Sequence, residues 1–91
     1  MRRPRTALRF ERDLKLVQRR GKDLRKLHVV MVLLAEEAVL TGAYRDHALK
    51  GEWAGSRDVH VEPDWILIYR LEGGDVIVFE RTGTHSDLFN N

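Results

Sequence analysis

His60-Val61-Glu62-Pro63-Asp64-Trp65-Ile66-Leu67-Ile68-Tyr69 holds a strand end, a tight turn and the start of a second strand. Val59 and Val61 alternate with His60, so one face of the first strand points inward and His60 points the other way. Pro63-Asp64 breaks the alternation, because proline lacks a ladder donor and aspartate bonds its own backbone in turns. From Trp65 to Leu71 the chain is almost wholly apolar, the pattern of a central strand covered on both faces. His60, Asp64 and Trp65 are therefore expected together at one end of a rigid sheet. An imidazole, a carboxylate and a stacking aromatic so placed suit work on a nucleic acid.

Downstream, Glu72-Gly73-Gly74-Asp75 predicts a hairpin turn, since glycine accepts positive φ without cost. Val76 to Thr82 reads as the next strand, with Arg81 on the face of Ile77 and Phe79. A charge there must be paired or point into a wet cleft. Thr82-Gly83-Thr84-His85 turns out of the sheet, and Ser86-Asp87-Leu88-Phe89 closes the chain. Upstream, Arg57 to Glu62 is the preceding strand. Thr41 to Gly55 is the loosest segment, and its Arg45-Asp46-His47 triplet beside the sheet is a site candidate.

Further upstream, Phe10, Leu14 and Val17 recur at helical spacing, and Gly21 ends that helix. A second helix starts near Asp23, with Leu24, Leu27, Met31, Leu34 and Ala38 as its buried stripe. His28, one step off the stripe, reads as a surface histidine. Thr6 to Phe10 is a candidate first strand. These elements predict one α+β domain over residues 1–91: an N-terminal strand and a two-helix antiparallel hairpin on a mainly antiparallel sheet, ending in a three-stranded meander. One sheet face receives the helices and the other is left for function.

Ninety-one residues suit a single core of modest stability. With no cysteine there is no disulfide framework or thiolate zinc site. The Arg-rich N-terminus lacks an apolar h-region, and no apolar run approaches membrane-spanning length, so the protein is expected in the cytoplasm. Eleven of the sixteen Lys and Arg lie in residues 1–28, opposed there only by Glu11, Asp13 and Asp23. Such a face favours polyanions through counterion release.

The second half resembles the YafQ branch of the RelE/ParE toxin superfamily. The likeness rests on Asp46-His47-Ala48-Leu49, Gly51, Trp53, Gly55, Arg57-Asp58, the stretch from His60 to Tyr69, and Phe79-Glu80-Arg81-Thr82-Gly83-Thr84-His85. Departures lie at Ala48, Ser56, Gly73-Gly74 and Ser86-Asp87. The resemblance implies the RelE-like sandwich and a ribosome-dependent messenger-RNA endonuclease, the toxin half of a bacterial type II toxin–antitoxin pair. It implies cutting in the ribosomal A site, and functional residues at His47, His60, Asp64, Trp65, Arg81, His85 and Phe89. The implied partner is a DinJ-like antitoxin with a DNA-binding half and an acidic wrapping segment.

The residues support this chemistry in their own right. RNA can be cut without a metal or cofactor if its 2′-hydroxyl becomes the nucleophile. A base must take the hydroxyl proton, an acid must protonate the departing 5′-oxygen, and positive charge must meet the phosphate. Histidine suits both proton roles, with an unperturbed pKa of about 6.5. His85 is the expected acid. His60, or His47 acting with Asp64, is the expected base. Arg81 would clamp the phosphate, and Trp65 and Phe89 would stack bases. The products would be a 2′,3′-cyclic phosphate and a 5′-hydroxyl. Arg12, Lys15, Arg19 and Lys22 would dock on ribosomal RNA. The histidines and aspartate match no compact metal-ligand spacing. A ParE-like poison of gyrase and an inert RNA-binding module remain as alternatives.

Overall fold

The computed structural model describes residues 1–89. In chain order these form β1 (Arg3–Thr6), α1 (Leu8–Arg19), α2 (Leu24–Ala35), β2 (His47–Ala48), β3 (Arg57–Glu62), β4 (Trp65–Glu72), β5 (Val76–Gly83) and α3 (His85–Phe89). Short 3₁₀ turns occupy Gly42–Tyr44 and Gly51–Trp53. The strands make one sheet in the order β1-β5-β4-β3-β2. β1 runs parallel to β5, and the remaining pairs are antiparallel.

The α1–α2 connection follows from local chemistry. Gly21 takes φ +84. Its N–H donates to the Gln18 carbonyl, and the Lys22 N–H reaches back to Val17. That pair of bonds is a Schellman cap, which needs a residue free to adopt the left-handed region. Asp23 then caps α2, its carboxylate accepting from the Arg25 N–H at 3.0 Å.

β4 sorts its side chains between two cores. Trp65, Leu67 and Tyr69 join Phe10, Val17, Leu27, Val30, Leu34 and Phe79 under the helices. Ile66 and Ile68 point to the opposite face and meet Leu88 of α3, flanked by Leu49, Trp53 and Phe89. Each fully buried large apolar side chain contributes about 1.5–3 kcal/mol. The double coverage explains why β4 reads as a continuous apolar run.

Several expectations are corrected. The first strand is Arg3–Thr6, not Thr6 to Phe10, and the chain is already helical at Leu8. All four β1 residues are exposed, so β1 is held by its register on β5 and has no buried face to mark it. α2 ends at Ala35, which leaves Ala38 exposed outside it. The stretch read as a plain chain end forms α3. Its signal is a capping box: Thr84 Oγ1 accepts from the Asp87 N–H, and Asp87 Oδ2 accepts from the Thr84 N–H.

Arg81 also changes face. Tyr69 pairs with Phe79 but Ile68 pairs with Arg81, so Glu80 is an extra residue in β5. Such a bulge inverts the alternation beyond it. By register Arg81 shares the face of Ile68, and Thr82 turns under the helices.

Candidate active site

The face away from the helices collects the histidines, because register puts them there. His60 pairs with Ile66, Asp58 with Ile68, and His47 with Asp58. Side chains directly opposite in an antiparallel pair share a face, so all of them join Ile66 and Ile68. The His60 ring stands 6.4 Å from His47 and 5.6 Å from His85, making a row of three imidazoles. Phe89 follows at 6.2 Å from His85.

Each outer imidazole is fixed through Nδ1. His85 Nδ1 lies 2.6 Å from Asp64 Oδ1, and the His85 backbone N–H donates to the same oxygen. Those bonds, backbone first, hold the Asp64 carboxyl below its ordinary pKa. An ionised carboxylate only accepts, so Nδ1 of His85 carries the proton and Nε2 is turned to other work. The sequence allows His60, or His47 acting with Asp64, as the base; the structure places Asp64 against His85 instead.

His47 Nδ1 lies 2.7 Å from the Arg45 carbonyl and 3.0 Å from Asp58 Oδ1. The carbonyl can only accept, so this Nδ1 too carries its proton. The bond is directed at Arg45, and Asp58 Oδ1 is buried with no hydrogen bond of its own. Arg45 adopts φ +50, a left-handed conformation. Asp46 anchors the segment, its Oδ1 accepting from Tyr69 Oη at 2.8 Å and Arg57 Nε at 3.0 Å. Burial, then the Asp46 bond, pushes the Tyr69 phenol up to about 12. His47 thus lies on a short edge strand held by the sheet.

Asp58 was not singled out from sequence. It is 3 % exposed and lies beneath the histidines. Burial raises its pKa, and His47, His60 and His85 in that order oppose the rise. His60 is 9 % exposed, and its Nδ1 has no hydrogen-bond partner.

Arg81 is paired. Its Nε and Nη2 donate to the two oxygens of Asp13 on α1, at 2.8 and 3.0 Å. Asp13 Oδ2 also accepts the Thr82 N–H, on the part of β5 beyond its register with β1. Nη1 makes no hydrogen bond among the described residues, so one prong of the fork is uncommitted.

One expected RNA contact is overturned by burial, and another is engaged in an ion pair. Trp65 is 1 % exposed, and its Nε1–H donates to Thr82 Oγ1 at 2.9 Å. A ring sealed in the core cannot stack on a base. Lys22 donates to Glu62 Oε1 at 2.8 Å and is not a free cation. Much of the N-terminal excess is matched in the same way. Arg2 meets Glu37, Arg3 meets Asp75, Arg5 meets Glu72, Arg20 meets Asp87, Arg25 meets Asp23, and Lys26 shares Glu62. Arg12, Lys15 and Arg19 have no acidic partner among the described residues. At i, i+3 and i+7 they share one exposed stripe of α1. Most of the pairs join residues far apart in sequence, so counting charges by segment could not reveal them.

The mRNA interferase toxin YafQ of Escherichia coli K12 is 52 % identical over 81 residues, spanning 88 % of this chain and 87 % of the relative. The E. coli DinJ–YafQ complex contains a chain of the same fold, with TM-score 0.89, 48 % identity and coverage of 98 % of this chain and 99 % of that one. A metal-bound toxin from Helicobacter pylori superposes with TM-score 0.90 at 37 % identity, covering 98 % and 100 %. Residues 2–90 match the family described as the bacterial toxin of type II toxin–antitoxin systems, YafQ, and the chain belongs to that family.

Proposed function

We propose that this chain is a cytoplasmic endoribonuclease that cuts messenger RNA during translation, as the toxin of a type II toxin–antitoxin pair. The E. coli relative is named an mRNA interferase toxin and has been crystallised with DinJ. By that kinship this chain takes a cognate antitoxin. The observation that carries the chemistry is the row His47–His60–His85, whose outer rings both have Nδ1 committed as a donor.

The RNA phosphate lies across the row. His47 Nε2 accepts the 2′-hydroxyl proton as O2′ bonds to phosphorus. His85 Nε2 donates a proton as the phosphorus–O5′ bond breaks. Asp64 holds the His85 ring through Nδ1, which turns Nε2 toward the leaving oxygen that the acid must reach. His60 hydrogen-bonds a phosphate oxygen, and the free Nη1 of Arg81 meets the charge that builds there. The products are a 2′,3′-cyclic phosphate and a 5′-hydroxyl. No group of three or more His, Asp or Glu arranged to hold a metal occurs among the described residues. The ribosome supplies the in-line orientation of the message, which a small domain cannot impose alone, and Arg12, Lys15 and Arg19 dock on its RNA.

Primer-extension mapping on a translated message, with and without ribosomes, tests this reading. Cuts that need both ribosomes and His85 support it. Cuts that persist in His85→Gln remove the acid from the mechanism.

A further inference from the structure

The Gly51–Trp53 turn and α3 enclose a cavity of about 300 Å³, lined by Lys50, Gly51, Glu52, Trp53, Leu88 and Phe89. It adjoins the row of imidazoles, since Phe89 forms one wall and touches the His85 ring. Its floor is fixed: Trp53 and Phe89 pack against the buried cluster of Ile66, Ile68 and Leu88. The Arg9 guanidinium lies 5.9 Å from the Trp53 ring centre, a cation–π contact that steadies the ring. The two charged residues lining the cavity are unspent. Neither Lys50 nor Glu52 makes an ion pair or side-chain hydrogen bond among the described residues, and both are exposed.

This combination has a chemical meaning. The volume is at the low end of small-molecule pockets, room for one planar ring system. Aromatic side chains offer a face on which any base can stack. A free carboxylate supplies only acceptors, so it favours a partner edge rich in N–H donors. Adenine, cytosine and guanine carry an exocyclic amino group. Uracil presents carbonyl oxygens there, which a carboxylate repels.

The position decides which nucleotide is concerned. On the mechanism proposed above, His85 protonates the leaving 5′-oxygen, so the nucleotide nearest to Phe89 is the one that carries that oxygen. Resting on that reading, we infer that the cavity receives the base immediately 3′ of the cut bond. Trp53 and Phe89 stack on this base, Glu52 accepts from its exocyclic amino group, and Lys50 faces the adjoining phosphate. Trp53 thereby takes the stacking role that burial denies to Trp65.

The test uses the full chain in a reconstituted translation system. Four messages differ only in the nucleotide after the cut. The wild type is expected to cut before A, C or G roughly tenfold more efficiently than before U, the size of one good base-edge contact. Glu52→Gln should shrink that ratio to within about threefold, because an amide can flip to donate to uracil. Wild-type cutting that ignores the following base, or a ratio unchanged in Glu52→Gln, overturns the pocket assignment and leaves the nuclease reading standing. A wild type that cuts none of the messages overturns the nuclease reading, and the pocket assignment with it.

Discussion

The two faces of the sheet are built from the same strands and behave differently. Under the helices, β4 offers Trp65, Leu67 and Tyr69 to a closed apolar core, and the Trp65 N–H has its partner in Thr82. On the other face, Ile66 and Ile68 meet only a short helix and a loop. Beside them stand three histidines, an unsatisfied buried carboxylate oxygen and an imidazole nitrogen with no partner. Native interiors seldom leave buried polar atoms unpaired. The helix-covered face accounts for the fold, and the opposite face keeps polar groups in readiness. One residue step along β4 separates a stability residue from a neighbour of the site.

The sharpest break between the faces should come from His85. His85→Gln is expected to lower cleavage about 10²–10⁴-fold, the usual worth of a general acid, with an unchanged urea midpoint. A parallel loss of stability would mean that His85 serves the fold as well.

Trp65→Ala should do the reverse. Emptying a core site of this size costs about 3–5 kcal/mol, a large share of what a small domain has. Urea unfolding measures it. Activity recovered by stabilising conditions would confirm that Trp65 acts through the fold, whereas lost cleavage at full stability would return it to the RNA.

Asp58 lies between the two cases. It is buried like a core residue but touches His47. Asp58→Asn removes a buried carboxylate 3.0 Å from His47 Nδ1 and leaves the Arg45 bond in place, so it should lower cleavage much less than His85→Gln and should shift the pH profile of the base limb. An unchanged profile would make Asp58 purely structural.

The smallest expected effect concerns the frame of the site. Arg20 bonds both oxygens of Asp87, and this bond first, then the Thr84 contacts, brings the Asp87 carboxyl down to about 2. A depressed carboxyl stabilises the fold above its unfolded pKa of about 3.9. That contribution is lost as pH falls through about 2. After solvent screening it is worth about 1 kcal/mol. Asp87→Asn should flatten the stability profile between these pH values. A curve as steep as that of the wild type would count against the contact.

Legibility in the sequence followed the same division. β3, β4 and β5 and the capped helix turn were readable because alternation, apolar runs and Gly21 are local signals. Arg81 was put on the wrong face because the Glu80 bulge exists only through pairing with β4. Asp58 looked like any outward polar residue, since its burial depends on what covers the second face. His47, His60, Asp64 and His85 were recognisable as a set, but which carboxylate serves which ring required coordinates. The Thr84-x-x-Asp87 spacing of the capping box is itself a local signal in the sequence.

The measurement that most directly tests the acid–base account is the chemistry of the RNA ends made at the cut. Attack by the 2′-hydroxyl must leave a 2′,3′-cyclic phosphate upstream and a 5′-hydroxyl downstream, also when EDTA is added with enough Mg²⁺ kept to hold the ribosomes together. Ends bearing a 3′-hydroxyl and a 5′-phosphate would require water as the nucleophile and would contradict the roles assigned to His47 and His85.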